Sequence, residues 1–231
     1  MALYAYVKTY PSQKGERLTA FWHFFSISLV VIGGVFLANA LLPILQYEIK
    51  SGRFNQEMIA PVVLGETVEE KEIDYTNPHN WFPTAPQLPV RPSKITHYTL
   101  SIPELNIEEA VVQIGGEDLM ASLIHYPGTA LPGQFGNAVI FGHSVLPQFF
   151  NPKNYKTIFS TLPKLKEGDE ILVSFDGVLY RYQVVRMVET SPQDVTVLEQ
   201  RYDNSYLSLI TCVPPGTYLK RLVVVTRLVA I

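Results

Sequence analysis

Residues 206–229 read YLSLITCVPPGTYLKRLVVVTRLV and contain two strand-like runs joined by a tight turn. The first run ends at Cys212, the turn Pro214-Pro215-Gly216 follows, and the second run begins at Arg221. In a β-hairpin, the end of one strand and the start of the next are neighbours at the same rim. We therefore expect Cys212 and Arg221 to lie close together.

Side-chain alternation along these two strands defines a shared face. Ser208 and Cys212 lie on one side of the first strand, and Arg221 and Val223 lie on one side of the second. Lys220 then points the other way. A thiol at the end of a strand, at the mouth of a barrel, is expected to be exposed enough to react.

Further strand-like runs lie upstream, each bounded by turn residues. They cover Tyr98–Ile102, Ile107–Val112, Ala138–His143, Glu170–Phe175 and Val178–Thr190. Asp176-Gly177 is a strong hairpin signal, and the pattern over Tyr155–Leu162 is compatible with a short helix. Seven or eight short strands at this spacing predict an all-β fold over residues 96–231, a closed or nearly closed β-barrel with one or two short helices.

The composition excludes several classes of protein. Of the 231 residues, 47% are hydrophobic and 17% are charged, so the chain is too apolar for a disordered protein. The net charge of −3 gives no overall basic surface, and we expect no nucleic-acid partner. A single cysteine excludes an intramolecular disulfide and a multi-thiolate metal site, and the sequence predicts no cofactor and no metal.

One segment is apolar enough to cross a membrane. Residues 21–45 read FWHFFSISLVVIGGVFLANALLPIL and contain no Asp, Glu, Lys or Arg. As a helix they extend over about 37 Å, more than a hydrocarbon core of about 30 Å. Trp22 and Tyr47, near the two ends, are residue types favoured at membrane interfaces. A cleaved signal peptide is the alternative, because Ala38-Asn39-Ala40 fits a cleavage site, although the apolar stretch exceeds a signal-peptide core of about 7–15 residues.

The charges before this segment predict its orientation. Lys8, Lys14 and Arg17 precede it, against Glu16 alone. Positive charge favours the cytoplasmic side. We therefore expect a single-pass protein of the cell membrane, with a cytoplasmic tail over residues 1–20, a transmembrane helix over 21–45 and an extracytoplasmic remainder.

Residues 46–95 have the composition of a stalk. They contain six of the 17 prolines and an acidic cluster over residues 69–74, and charged, Pro-rich segments stay extended. The pattern over Arg53–Ala60 is compatible with a helix that ends at Pro61. Trp81 and Phe82 do not fit a pure linker, and we expect them to pack either on the flank of the following domain or over a cleft.

A thiol that acts as a nucleophile needs a proton partner, and the sequence has five histidines. His143 directly follows a glycine at the end of a predicted strand, where functional residues often lie. A thiolate attacks a carbonyl, and an imidazole donates a proton to the leaving amine and accepts one from the next nucleophile. A guanidinium stabilises the oxyanion or fixes substrate carbonyls, and it favours the thiolate. Cys212, His143 and Arg221 are therefore the candidate catalytic set.

Three ordered motifs resemble those of the sortase family. Residues 208–212, Ser-Leu-Ile-Thr-Cys, are similar to the Thr-Leu-x-Thr-Cys signature, with Ser208 in place of the first Thr. The run from Cys212 to Arg221 is similar to the corresponding segment of several sortase classes. The run from His125 to His143 is similar to the stretch that leads to the family's catalytic histidine. The resemblance covers residues 96–231.

The resemblance implies a fold and an activity. Sortases are cysteine transpeptidases with an eight-stranded β-barrel, and they cleave a sorting signal, often Leu-Pro-x-Thr-Gly, after the Thr. They form a thioester acyl-enzyme from surface proteins or pilins and transfer the acyl group to an amine of a peptidoglycan precursor or a pilin lysine. In this chain the resemblance makes Cys212 the nucleophile, His143 the acid and base, and Arg221 the stabiliser of oxyanion and substrate.

The remaining candidates have secondary roles. Thr211, Ser208 and His125 are candidate substrate contacts, and the alternative for each is an ordinary structural residue. Trp81 and Phe82 are a candidate lid, because residues 77–82 loosely resemble the lid of pilus-building sortases, although an Asn stands where an Asp is usual. The acidic residues between positions 104 and 118 match no calcium loop, and we expect them to form a solvated rim.

The same residues allow two other functions. A membrane-anchored hydrolase would use the same set with water as acceptor, and a non-catalytic barrel would bind a peptide strand without using the thiol. A papain-like protease is disfavoured, because its cysteine precedes its histidine in sequence, whereas His143 precedes Cys212.

Overall fold

The computed structural model describes residues 13–52, 55–56, 74–85, 88–89 and 93–231. The chain divides into two compact units, the first ending at Leu42 and the second covering Pro43–Ile231. Helix α1 covers Gln13–Ser51, so it extends beyond the predicted span at both ends. It is the one helix among the described residues that is long and apolar enough to cross a membrane, over Phe21–Ser51.

The second unit contains an all-β barrel. Its strands are β1 (Asn55–Gln56), β2 (His97–Ile102), β3 (Ile107–Ile114), β4 (Leu123–His125), β5 (Gly136–Phe141), β6 (Glu170–Phe175), β7 (Val178–Thr190), β8 (Ser205–Val213) and β9 (Lys220–Ala230). The order β7-β6-β2-β3-β4-β5-β8-β9 closes on itself because β9 also pairs with β7, and β1 adds to β7 in parallel. The predicted eight-stranded barrel is confirmed.

Three details differ from the sequence-based expectation. Strand β4 was not predicted, because its three residues are all buried and show no alternation. Residues 155–161 form turns rather than the predicted helix: the Thr157 N–H donates to the Asn154 carbonyl at 2.9 Å and the Ser160 N–H to the Thr157 carbonyl at 3.0 Å, so the turns close over three residues instead of four. Of the helix expected over Arg53–Ala60, the structure describes only Asn55 and Gln56, which form β1; the rest lies outside the described residues.

The barrel buries residues on both sides of β5, β8 and β9. The interior layer includes Ile140 on β5, Leu209 on β8 and Val224 on β9. A second layer, on the outer face of the same strands, includes Phe141 and Cys212. A strand covered on both faces is expected to be apolar without interruption, which accounts for the long hydrophobic runs in β5 and β8.

The C-terminal end of α1 is part of the barrel unit. Tyr47 is buried in the barrel core rather than exposed at a membrane interface, and its hydroxyl donates a hydrogen bond to the carboxylate of Glu189 on β7. The ammonium of Lys220 lies 3.2 Å from the same carboxylate. Several described residues of the predicted stalk over 46–95 are thus buried rather than exposed. They are Tyr47 and Ser51 at its start and Trp81 and Phe82 further along.

Candidate active site

Strand pairing brings the candidate cysteine and arginine together. In the antiparallel β8–β9 pair, Cys212 is the direct partner of Arg221, and Ile210 is the partner of Val223. Because these positions alternate in step along both strands, the side chains share the outer face of the barrel. Strand β5 runs parallel to β8 on its other side, with Phe141 opposite Ile210.

His143 lies two residues beyond the end of β5, next to the end of β8. The preceding Gly142 continues the ladder by donating its N–H to the Ile210 carbonyl at 3.1 Å. A side chain at position 142 would overlap the side chains of Phe159 and Leu123. Glycine therefore allows the backbone to pack closely here and brings the histidine against β8.

Two hydrogen bonds fix the histidine loop to the cysteine strand. The Thr211 hydroxyl donates to the Gly142 carbonyl at 2.8 Å, and the Ser144 hydroxyl donates to the Cys212 carbonyl at 2.6 Å. Thr211 is fully buried, so in this conformation its side chain holds the two strand ends together, and a substrate contact through its hydroxyl or backbone stays a prediction. Ser144 had not been singled out from the sequence.

Arg221 is almost fully buried, and its partners are carbonyl groups. Its Nη1 donates to the Tyr218 carbonyl at 3.0 Å, and its Nη2 donates to the Trp81 carbonyl at 3.1 Å. Its Cζ atom lies 5.4 Å from the centre of the Trp81 ring, a cation–π distance. No carboxylate of the described residues forms an ion pair with this guanidinium. Among these residues no carboxylate therefore neutralises its charge.

Cys212 is 1% exposed, so the expectation of an exposed thiol is wrong for this conformation. The thiol is buried because Trp81 and Phe82 pack in the same outer layer as the cysteine. The sequence of the β8–β9 hairpin gives no sign of this contact. Burial raises the pKa of the Cys212 thiol to about 11, and the charge of Arg221 acts in the opposite direction. The sulfur is therefore a neutral thiol at neutral pH.

His143 is also mostly buried, and its Nε2 atom has no hydrogen-bond partner among the described residues. Burial lowers its pKa below the ordinary value; the negative charge of Asp118 raises it, that of Asp74 raises it less, and the positive charge of Lys156 lowers it. The imidazole is therefore neutral at neutral pH. The centre of the Trp81 ring lies 5.8 Å from the centre of the imidazole.

We call residues 74–85 the cover segment, because they lie over the three candidate groups. The Trp81 ring packs edge-on against Phe141, with 5.3 Å between ring centres, and both Trp81 and Phe82 are buried. The Thr76 carbonyl accepts a hydrogen bond from the Leu119 N–H at 2.9 Å. Tyr75 stacks on Tyr218 with 4.1 Å between ring centres. The segment therefore contacts the functional face itself.

The indole of Trp81 is held by the segment's own backbone. Its Nε1 donates to the Tyr75 carbonyl at 2.8 Å, so the ring's polar group is satisfied while its apolar body is buried. Asn77 caps the 3-10 turn Pro78–Trp81 by accepting a hydrogen bond from the His79 N–H. The cover segment is thus a folded unit rather than an extended linker.

The two remaining candidates have filled hydrogen-bonding positions. The Ser208 hydroxyl donates to the Asn137 side-chain oxygen at 2.8 Å, and both residues border an open groove of about 700 Å³. His125 is buried with Nδ1 2.8 Å from the Tyr98 hydroxyl and Nε2 3.0 Å from the Thr129 hydroxyl. Neither ring nitrogen of His125 is therefore open to a substrate, and the structural alternative describes it.

We expect His125 to make the fold sensitive to acid. Burial lowers its pKa to about 4, against about 6.5 for an unfolded chain. Below pH 6.5 the unfolded chain therefore binds a proton that the folded chain does not, and stability falls by about 3 kcal/mol between pH 6.5 and pH 4. Denaturant unfolding of the full chain in detergent measures this loss. His125→Gln should flatten the profile over that range, and parallel profiles would show that another group is responsible.

Charged neighbours of His143 were not identified from the sequence. Asp118 and Lys156 lie 25 residues before it and 13 after it (143 − 118 and 156 − 143) and belong to loops with no motif. No local signal connects them to the histidine, since only the tertiary fold brings them together. Among the described residues, no three His, Cys, Asp or Glu side chains form a group that would hold a metal ion.

The comparisons with known proteins agree on one family. The family model of the Sortase domain matches residues 100–229, more than half of the chain. Sortase D of Bacillus subtilis (strain 168) is 24% identical over 116 residues, which are 50% of this chain and 53% of that protein. The chain thus spans about half the length of the curated relative that it matches.

Solved structures give the same result. The lid mutant of sortase A from Corynebacterium diphtheriae superposes with a TM-score of 0.52 and 28% identity, covering 61% of this chain and 74% of that one. The sortase D5 transpeptidase of Clostridium perfringens gives a TM-score of 0.50 and 25% identity, covering 62% of this chain and 83% of that one.

Proposed function

This chain belongs to the sortase family, and we propose that it is a membrane-anchored cysteine transpeptidase in which Cys212 is the nucleophile, His143 the general acid and base, and Arg221 the oxyanion and substrate stabiliser. The donor is a sorting signal of the Leu-Pro-x-Thr-Gly kind on a surface protein or a pilin. The acceptor is an amine of a peptidoglycan precursor or a pilin lysine.

One observation carries the proposal. The Arg221 guanidinium binds a peptide carbonyl, that of Trp81, on the face that it shares with its strand partner Cys212. A donor peptide requires the same contact, because the carbonyl that a thiolate attacks develops negative charge in the transition state. The chain's own cover segment thus supports the view that this face accepts extended peptide backbone.

The reaction proceeds in two acyl-transfer steps. The Cys212 thiolate attacks the carbonyl carbon of the donor's Thr, and Arg221 stabilises the oxyanion. The C–N bond breaks, His143 gives its proton to the leaving amine, and a thioester remains on Cys212. An incoming amine then attacks the thioester carbon and loses a proton to His143, the C–S bond breaks, and the thiolate is restored.

The proposed reaction needs a charged pair that the covered site does not favour. Burial raises the pKa of Cys212 and lowers that of His143, so both groups are neutral. Removing the cover would let water reach the site, which lowers the thiol pKa and raises the imidazole pKa. Arg221 would then favour the thiolate further. The cover segment is accordingly proposed as a lid that keeps the site inactive until it moves.

One related structure supports the proposal of a lid. The related structure from Corynebacterium diphtheriae is that of a lid mutant, so a lid is a feature of that protein. In this chain the lid would be built around Trp81, with Phe82 beside it, and the segment has Asn77-Pro78-His79 in place of an Asp-Pro-aromatic sequence.

The apolar helix is proposed as the membrane anchor. Its basic flank at Lys8, Lys14 and Arg17 favours a cytoplasmic N-terminus. This orientation puts the barrel outside the cytoplasm, where surface proteins and cell-wall amines are available as substrates.

Incubating the full chain and its Trp81→Ala variant, which opens the cover, in detergent with a Leu-Pro-x-Thr-Gly peptide library tests the function. We expect cleavage after Thr and, with an added amine, a new amide product. Cleavage with the carboxylic acid as the only product, even at high amine concentration, would favour the hydrolase. Absence of cleavage with peptide binding retained would favour the non-catalytic barrel.

Replacing Arg221 should reduce the acylation rate strongly. Arg221→Met removes the charge that stabilises the oxyanion, and we expect a loss of about 10²–10³-fold in kcat/KM for donor cleavage. Arg221→Lys should recover only part of it, because an ammonium lacks the planar fork of the guanidinium. The control is Arg181→Met, a surface arginine 4.0 Å from Glu170. Activity within twofold of wild type in Arg221→Met would remove this residue from the mechanism.

A further inference from the structure

A hollow of about 570 Å³ opens beside His143. Residues 74–76 of the cover segment form one wall. The other lining residues are His143, Ser144, Val145, Met120, Lys156 and Tyr218. We call it the histidine hollow. The open groove bordered by Ser208 has none of these lining residues, so the two depressions are separate.

The histidine hollow has fixed walls. The Phe159 N–H donates to the His143 carbonyl at 3.0 Å, and the Val145 N–H donates to the Ser160 hydroxyl at 2.8 Å. The Asn154 side chain accepts from the Lys156 N–H at 3.0 Å. These bonds tie the turn that carries Lys156 to the segment that carries His143, so the two side chains stay neighbours when Trp81 moves.

The hollow contains charge of both signs. Asp74 and Lys156 line it, whereas Asp118 does not; both carboxylates act on the His143 imidazole as negative charges, and Lys156 acts on it as a positive charge. Lys156 is exposed and makes no ion pair with a described residue. His143 is 8% exposed as a residue, and its Nε2 atom has no partner among the described residues. Such a site offers a base for the proton of an amine and a cation for a carboxylate.

Acyl transfer requires a place for an amine at His143. The leaving amine takes its proton from this imidazole, and the incoming amine gives its proton to the same imidazole. Both amines must therefore occupy the same side of the histidine. The donor's acyl part belongs with Cys212 and Arg221, where the cover segment now lies, which leaves the hollow for the amine.

We propose that the histidine hollow binds the acceptor, and that Lys156 selects amines whose own carbon also carries a carboxylate. The proposal rests on the acyl-transfer function above and specifies its second substrate: of the two acceptors named there it favours the peptidoglycan precursor, because the ε-carbon of a pilin lysine carries no carboxylate. The acceptor enters as the free base, its nitrogen forms the amide bond with the thioester carbon, and the C–S bond breaks. The proton released from the nitrogen passes to His143, and Cys212 leaves as the thiolate.

Glycine and glycinamide are the probes, because they differ only in the carboxylate on the amine-bearing carbon. With a Leu-Pro-x-Thr-Gly donor, wild type should use glycine better than glycinamide at equal free-base concentration. Lys156→Met should reduce that preference about fivefold, the effect of losing one exposed ion pair. Lys153→Met, a nearby exposed lysine outside the hollow, is the matched control and should retain it. Comparing the ratio between variants cancels the different basicity of the two amines.

Acylation is measured separately from acceptor use. Lys156→Met also removes a positive charge that lowers the pKa of His143, so acceptor use is taken as the product ratio per acyl-enzyme formed, which cancels any change in the acylation rate. An unchanged glycine preference in Lys156→Met, or a preference of wild type for glycinamide, would overturn the acceptor proposal while leaving the transpeptidase intact. Failure of the uncovered Trp81→Ala variant to form any acyl-enzyme would instead remove the proposed function, and the acceptor site with it.

Discussion

Cys212→Ala is expected to abolish donor cleavage and amide exchange completely. The chain has one cysteine, so no other thiol can replace the nucleophile. Loss of a nucleophile that acts together with a base costs about 10⁶-fold in kcat, which places the variant below the detection of the peptide assay. Peptide cleavage followed by mass spectrometry measures the effect.

Folding must be controlled in this experiment. The Cys212 side chain packs beside Phe141 and Trp81 in the outer layer, and alanine leaves a small cavity there. A Cys212→Ser variant preserves the volume almost fully and should be equally inactive, because an alcohol is a far weaker nucleophile than a thiolate. Cleavage after Thr by either folded variant would exclude the thioester mechanism.

Trp81→Ala is expected to increase the reactivity of Cys212 by about a hundredfold. Burial raises the thiol pKa to about 11, and the indole is a main part of the cover. With the ring removed, water reaches the sulfur and its pKa moves toward the ordinary value of about 8.5. Since alkylation follows the thiolate fraction, the iodoacetamide rate at pH 7.5 should rise accordingly, as followed by intact mass.

The pH dependence of the alkylation rate shows the direction in which the Cys212 pKa has moved. In wild type, alkylation should increase up to about pH 11, whereas in Trp81→Ala it should reach its plateau at lower pH. Tyr202→Ala, which removes an exposed aromatic ring away from the cysteine, is the control and should behave like wild type. Equal alkylation rates in Trp81→Ala and wild type would show that the cover segment does not limit access to the thiol.

The pairing of Cys212 with Arg221 was predictable from the sequence because it depends on the geometry of one short hairpin. The turn after Cys212 and the strand that begins at Arg221 determine the β8–β9 register, because a hairpin restricts which residues can be opposite each other. The closed barrel was predictable for the same reason, since most of its strands are separated by recognisable turns. The three-residue β4 was missed because it is too short for a pattern.

The accessibility of the site could not be predicted in this way. Cys212 is buried by Trp81, 131 positions earlier in the chain (212 − 81), and Pro-rich composition around that residue indicates a linker rather than a folded cover. Two aromatic residues in the predicted stalk were the only local signal. The groups that act on His143, namely Asp118 and Lys156, had none, because electrostatic neighbours depend on the fold and not on spacing.

The most direct test is the intact mass of Trp81→Ala after incubation with a Leu-Pro-x-Thr-Gly peptide. We predict a covalent adduct with the mass of the peptide up to its Thr, absent from the Trp81→Ala/Cys212→Ala double variant and lost when an amine is added, with formation of the amide. An uncovered thiol that alkylates readily but forms no such adduct with any member of the library, or an adduct that persists without Cys212, would contradict acyl transfer at this site.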